Sequence, residues 1–229
     1  MAEISKTTIT GTGAETDPYI INSTEDFLFL SKQTLSGKYI ELASDIELND
    51  ETFDENGVAS GGDGKVYTWQ RINTWNENCV FDGKGHTISN YYFNNPNTDQ
   101  SIALFANLFY MLKNLNVKGM YLNGNKNVFG VSASSSNNIV IENVHNLGGT
   151  LRGNVSIAGI CREAKSLDNV TNRANIYQHS TTTTKGSVGG ISCGSFVKTY
   201  NNCVNYGNID VYLADYCGGI ATRVAWSVC

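Results

Sequence analysis

The sequence predicts an all-β fold, a solenoid of stacked parallel coils closed at its first end by a short helix. Three observations carry this reading. From Val128 onward an apolar-Gly-apolar core recurs: Val128-Phe129-Gly130-Val131, Ile157-Ala158-Gly159-Ile160, Val188-Gly189-Gly190-Ile191 and Cys217-Gly218-Gly219-Ile220, their final residues 29, 31 and 29 apart. Each of the first three cores is followed by an Asn-bearing strand: Asn143-Val144-His145-Asn146, Asn169-Val170-Thr171-Asn172 and Asn202-Cys203-Val204-Asn205. The chain also holds 28 Asn and 23 Gly against 2 Pro. Asn and Gly tolerate left-handed backbone, so this mixture suits tight corners and disfavours long helices. A unit near thirty residues cannot bury its own apolar face, so successive units must share one core. Function is therefore expected on an extended surface.

Residues 1–37 read as a cap. Gly11-Thr12-Gly13 and Asp17-Pro18-Tyr19 are turn signals beside short extended pieces, Thr7 to Thr10 and Tyr19 to Ile21. Ser23 is placed to cap a helix over Thr24 to Lys32. Glu25 and Asp26 suit its positive end, and Phe27 and Leu30 share a face.

Residues 38–127 form irregular first coils. Tyr39 to Leu48 alternates as a strand with one buried face, and Asp50 to Lys65 is an acidic, Gly-rich loop. Strands resume at Tyr67-Thr68-Trp69, Cys79-Val80-Phe81, His86-Thr87-Ile88, Tyr91-Tyr92-Phe93, Ile102 to Phe105 and Leu112 to Val117. Residues 128–229 hold the regular repeats. Ala221 to Cys229 supply only the start of another coil, so that end is expected to be covered by further repeats, a partner chain or a second copy.

The net charge of −5, the pI near 5.2 and the scattered Lys113, Lys118 and Lys126 argue against nucleic acid as a partner. No apolar run suits membrane insertion. Met1 to Lys6 shows no basic start leading into an apolar stretch, so no signal peptide is expected in this chain. Cys79, Cys161, Cys193, Cys203, Cys217 and Cys229 contain no Cys-x-x-Cys pair and are expected as buried, unpaired thiols.

Polysaccharide lyases and glycosidases also use stacked-coil folds. They need converging carboxylates, or calcium-binding acids beside a Lys or Arg base. Asp45, Asp82 and Asp99 lie apart in sequence, each beside turn residues, and read as corner carboxylates. The Asp50 to Asp63 loop lacks the spacing of a known calcium loop and reads as a solvated excursion. His86, within Gly83-Lys84-Gly85-His86, is expected to make a structural hydrogen bond rather than act as acid or base. His145 sits in a repeat strand and His179 in a polar turn, neither with a visible partner. Gly83-Lys84-Gly85 lacks phosphate-loop spacing, and Thr181 to Thr184 does not repeat.

No catalytic, cofactor-binding or metal residue is assigned, and no cofactor is expected. Trp69, Trp75, Tyr91, Tyr92, Phe93, Tyr121, Tyr206, Tyr212 and Tyr216 are either stacking faces for sugar rings or half-buried packing residues.

Two blocks carry a family likeness. Gly11-x-Gly13-x-x-x-Asp17-Pro18-Tyr19-x-Ile21, Glu25-Asp26-Phe27-x-x-Leu30 and Tyr39-x-x-Leu42-x-x-Asp45-Ile46 resemble the opening segment of GLUG-repeat proteins. Phe81-Asp82-Gly83-Lys84-Gly85-His86-Thr87-Ile88-Ser89 does too, and the Gly-Gly-Ile cores look like the repeats themselves. The resemblance implies a right-handed parallel β-helix of bacterial surface proteins and adhesins. The first coils depart from it in lacking the Gly-Gly pair. In such a stack Asn143, Asn169 and Asn202 should form an amide ladder at a corner, about 4.8 Å apart. The reading that follows is a non-catalytic adhesion or recognition module for a glycan or protein ligand, on a bacterial surface or in a phage fibre. The alternative is a polysaccharide lyase or glycosidase.

Overall fold

A computed structural model describes residues 8–61, 66–72, 78–106, 109–135, 138–178 and 186–222. The chain enters through β1 (Tyr19–Ile21), α1 (Thr24–Leu30), β2 (Tyr39–Leu42) and β3 (Ile46–Glu47), then β4 (Cys79–Asp82), β5 (Thr87–Ser89) and β6 (Tyr92–Asn95). Four full turns of three strands follow. They are β7 (Phe109–Lys118), β8 (Met120–Gly124) and β9 (Val128–Phe129); β10 (Val140–Asn146), β11 (Gly149–Gly153) and β12 (Ile157–Ala158). Next come β13 (Ser166–Asn172), β14 (Asn175–Gln178) and β15 (Ser187–Gly189), and finally β16 (Thr199–Asn205), β17 (Ile209–Val211) and β18 (Tyr216–Gly218).

Equivalent strands of successive turns pair in parallel, giving three sheets: β1-β2-β4-β7-β10-β13-β16, β6-β8-β11-β14-β17 and β9-β12-β15-β18. β3 and β5 run beside the first sheet, pairing through β7. The chain is thus a β-solenoid. The Asn-bearing segments are its first sheet and the Gly-containing cores its third. The second sheet is a strand per coil more than the repeat pattern shows. Its inward row holds Leu122, Leu151, Ile176 and Ile209 in register, and the next inward positions of β11 and β14 are Gly153 and Gln178, which leaves no apolar alternation to read.

Inward rows run the length of the stack. Leu115, Val144, Val170 and Cys203 align, as do Leu112, Ile141, Leu167 and Tyr200, and Val128, Ile157, Val188 and Cys217. Members in the inner turns are fully buried. In the last turn Tyr200, Cys203 and Ile209 are half-buried and Cys217 is exposed. Residues 223–229, where a further coil was expected to begin, lie outside the described residues.

The long first-sheet strands carry the corner inside themselves. Asn114, Asn143, Asn169 and Asn202 have φ of 52, 53, 51 and 49°. Pairing resumes on either side, Glu142 with Asp168 and Val144 with Val170, and skips the asparagines. One left-handed residue in an extended run bends the strand, and Asn bears that conformation at low cost. The amides are linked: Asn143 Nδ2 donates to Asn114 Oδ1 at 2.9 Å and Asn169 Nδ2 to Asn143 Oδ1 at 2.9 Å. Asn114 Nδ2 in turn donates to Asp82 Oδ1 at 2.9 Å, so the ladder begins on a carboxylate.

A second asparagine explains the glycines. Asn146 and Asn172 are fully buried, and Asn146 Nδ2 donates to the Gly159 carbonyl at 3.0 Å. Asn172 Nδ2 donates to Asn205 Oδ1 at 2.8 Å and to the Ala174 carbonyl at 3.1 Å. A Cβ on Gly159 would strike the Asn172 amide and the Gly190 carbonyl; one on Gly190 would strike Asn205 and the Gly219 carbonyl. The core glycine and the asparagine ending the next first-sheet strand are therefore two halves of one contact.

α1 closes the entrance. Ser23 accepts from Asp26 N–H at 3.2 Å, and the helix ends at Leu30 with Ser31 as its cap, two residues short of the expected Lys32. Phe27 is fully buried and stacks on Trp69 with ring centroids 5.6 Å apart. Asp26 is also buried, and its carboxylate accepts from Thr8 N, Thr8 Oγ1 and Asn22 N at 2.7, 2.6 and 3.1 Å. Burial raises its pKa, but these donors outweigh that and leave it below the ordinary carboxylate value. Asp26 thus ties down the incoming chain as well as complementing the helix end.

Gly159→Ala should destabilise the protein by about 1–3 kcal/mol through overpacking against Asn172. Gly219→Ala, where nothing lies within 4 Å of the new Cβ, should fall within about 0.5 kcal/mol of the parent. Urea unfolding of both variants measures the contrast.

Candidate recognition surface

The acids that stand out in the sequence each find a partner. Asp45 Oδ1 accepts from Thr87 N at 2.9 Å and meets His86 Nδ1 at 3.1 Å, so His86 makes a structural contact across two coils. Asp99 pairs with Lys126 Nζ at 2.9 Å and accepts from Asn125 Nδ2 at 2.9 Å; the Lys126 bond first, then Asn125, hold its pKa below the ordinary value. Asp82 closes a turn by accepting Lys84 N at 2.8 Å, and its other oxygen lies 3.5 Å from Lys113 Nζ.

Strand register also does what sequence spacing conceals. Glu41 on β2 and Asp82 on β4 are direct cross-strand neighbours, and Lys113 on β7 is next in the same outward row. With Glu15, Tyr39, Ile40 and Val80 they line a cleft of about 150 Å³ on the outer face of the first sheet. Lys84 Nζ approaches Glu41 Oε2 at 3.6 Å. Burial raises the Tyr39 pKa, with the charge and hydrogen bond of Glu15 adding to it. Asp82 alone of this group stood out in the sequence; Glu15, Glu41 and Lys113 are too distant along the chain for any motif to join them.

His145, half-buried on the outer face, is held at both ring nitrogens: Nε2 lies 3.0 Å from Asn143 Oδ1 and Nδ1 lies 3.0 Å from Thr171 Oγ1. Asn143 Oδ1 can only accept, so Nε2 carries the proton and Nδ1 is left to accept from Thr171. His179 and Thr181 to Thr184 lie outside the described residues.

The acidic loop is solvated as expected, with Asp50, Asp54 and Glu55 exposed, and it is also a folded arm. Phe53 bridges Ala59, Asp54 Oδ1 accepts from Asn56 N and Val58 N at 2.9 and 2.8 Å, and Glu51 Oε2 accepts from Ser60 Oγ at 2.9 Å. Two of its acids thus spend their lone pairs on the loop itself. Asp63 is outside the described residues. The arm lies on the second sheet: Phe53 packs on Tyr92 at 4.7 Å, Gly57 faces the Tyr121 ring, and Arg152 Nη2 donates to the Glu55 carbonyl at 3.0 Å.

The aromatic residues divide by position. Trp69, Tyr91 and Tyr121 are buried, and the Tyr91 hydroxyl donates to the Gly130 carbonyl. Tyr92 stacks on Tyr121 with centroids 5.6 Å apart, and Phe93 packs against the core. Tyr206, Tyr212 and Tyr216 are exposed, all on the last described turn, and Arg173 covers one face of Tyr206 at 4.2 Å. Trp75 is outside the described residues. Cys79, Cys161 and Cys193 are buried free thiols; burial pushes Cys161 well up and Cys193 to about 12. Cys203 is half-buried and Cys217 exposed, contrary to the expectation for repeat-core thiols, because no further described coil covers them. Cys229 is outside the described residues.

Burial lowers the His145 pKa below its ordinary 6.5. As pH falls the unfolded chain takes up the proton first, so this stability is complete above 6.5 and is lost as pH falls through the folded value. Urea midpoints at about pH 7.5 and about pH 5 should differ less for His145→Gln than for the parent.

No family model matches the sequence, and a search of curated proteins found no match. A search of solved structures matched a crystal structure described as "a putative immunoglobulin A1 protease from Bacteroides ovatus". It is 15% identical, covers 94% of this chain and 85% of that chain, and superposes with a TM-score of 0.41.

Proposed function

We propose that this chain is a non-catalytic recognition module of the adhesin type, a rigid β-solenoid that presents its outer faces to cell-surface glycans or protein partners. One observation carries the reading: Asp45, Asp82 and Asp99 are each held by a cation or amide that serves the stack. A carboxylate so committed stabilises a corner and is poorly placed to exchange protons with a substrate. The exposed Tyr206, Tyr212 and Tyr216 add apolar contact area of the kind used at interfaces.

The same reading places the chain with GLUG-repeat proteins, on a bacterial surface or in a phage virion. The residues of that resemblance are turn builders here, which supports it. Gly11 and Gly13 have φ of 88 and 75°, and Thr12 N and Gly13 N both donate to the Asp17 carbonyl at 3.0 Å. Lys84 and Gly85, with φ of 52 and 85°, form the turn before His86.

The alternative, a polysaccharide lyase or glycosidase, is favoured by one feature, the cleft where Glu41 and Asp82 stand side by side near Lys113 and Tyr39. Incubation with neutral and acidic polysaccharides, followed by reducing-end and unsaturated-product assays, should give no product above background. Depolymerisation that disappears in Asp82→Asn would replace the recognition reading with the enzymatic one.

The half-buried Cys203 and Ile209 and the exposed Cys217 of the last described turn suit engagement with another chain. Light scattering over a concentration series should show the mass rising above that of one chain. A constant monomer mass would count against engagement between copies.

A further inference from the structure

We infer that the cleft on the first sheet is a subsite for a single uncharged sugar residue, an assignment that rests on the recognition reading and names its ligand. Its volume of about 150 Å³ admits one sugar ring, and its lining joins the two surfaces a sugar needs. Val80 and the Tyr39 ring offer an apolar patch for ring C–H groups, while Glu15, Glu41, Asp82 and Lys113 supply polar groups around it. A carboxylate has two oxygens and about four acceptor sites, so adjacent hydroxyls can both donate to it while its structural bonds persist. Lys113 Nζ is a donor for the sugar's own oxygens, and the Tyr39 oxygen, whose proton goes to Glu15, can accept from a sugar hydroxyl.

The groups are already oriented. Asp82 is fixed by Lys84 N, Asn114 Nδ2 and Lys113, and Tyr39 is hydrogen-bonded to Glu15. Fixed side chains lose little freedom on binding, which raises affinity for a small ligand. Charge then selects the class. Three carboxylates against one lysine line the cleft, so a carboxylated or sulfated sugar is repelled. A metal ion is a poorer occupant: Lys84 and Lys113 already neutralise two of the acids, and no metal-binding group of three His, Cys, Asp or Glu occurs among the described residues.

The test uses the full 229-residue chain on an array of neutral, amino, sialylated and sulfated glycans, with saturation-transfer NMR on the best neutral glycan. The parent should bind neutral glycans, and Glu41→Gln and Tyr39→Phe should each weaken binding about tenfold or more. Thr199→Ala, an exposed position at the start of β16 and three coils beyond β7, should leave it unchanged. Thermal melts identify any variant that fails to fold, and two independent cleft variants keep the test decisive. Binding that survives both cleft variants overturns the subsite while leaving the recognition reading intact. Binding confined to amino, sialylated or sulfated glycans overturns the assigned class. Absence of binding to any glycan by the parent overturns the subsite together with the glycan form of the recognition reading.

Discussion

The solenoid depends on one contact, made where a glycine without a side chain meets the buried amide of an asparagine from the following coil. Parallel strands of successive coils must sit at the strand spacing on all three faces at once. On the third face the backbone of one coil lies against the carbonyls of the next, and Gly130, Gly159 and Gly190 leave no room there for a Cβ. Asn146 and Asn172 fill the remaining space and satisfy their own amides against Gly159, Ala174 and Asn205. Because both asparagines are fully buried, an unmatched amide would carry the full cost of desolvation, about 1–3 kcal/mol each. The glycine and the asparagine therefore have to repeat together.

With the spacing set, the other features follow from it. A left-handed asparagine bends each of β7, β10, β13 and β16, and the amide ladder from Asp82 through Asn114 and Asn143 to Asn169 joins the first three bends. Outward residues fall into rows because inward ones do. The row through Glu41, Asp82 and Lys113 becomes one wall of a cleft, while a neighbouring row sets His145 against Thr171. The surface chemistry is thus laid out by a core that takes no direct part in it. Rigidity of this kind suits recognition, since little order remains to be imposed on the protein when a ligand arrives.

The two ends of the stack are handled differently. At the entrance α1 lays Phe27 on Trp69, and Asp26 gathers Thr8 and Asn22 around its carboxylate. The arm over residues 50–61 shields Tyr92 and Tyr121 on the second sheet, reaching Arg152 two coils further on. In the last described turn the same inward rows end half-buried or exposed, and the three exposed tyrosines that stood out in the sequence gather there.

The repeats were legible in the sequence by themselves: four cores at nearly constant spacing, the asparagine strands between them, and the capping helix to within two residues. Those features are local or periodic, so chain spacing alone exposes them. The second sheet was not legible, because Gly153 and Gln178 stand at inward positions of β11 and β14 and break the apolar alternation. Nor was the use of Glu51 and Asp54 within their own loop, where they accept from the Ser60 hydroxyl and the Asn56 amide. The ladder was expected from Asn143, but its start at Asp82 and Asn114 required the register of β4 on β7. The cleft depended on tertiary structure throughout. Glu41, Asp82 and Lys113 meet because parallel coils set residues from separate turns on adjacent strands, and the turn at Glu15 lies against the same cleft, a proximity the linear chain does not encode.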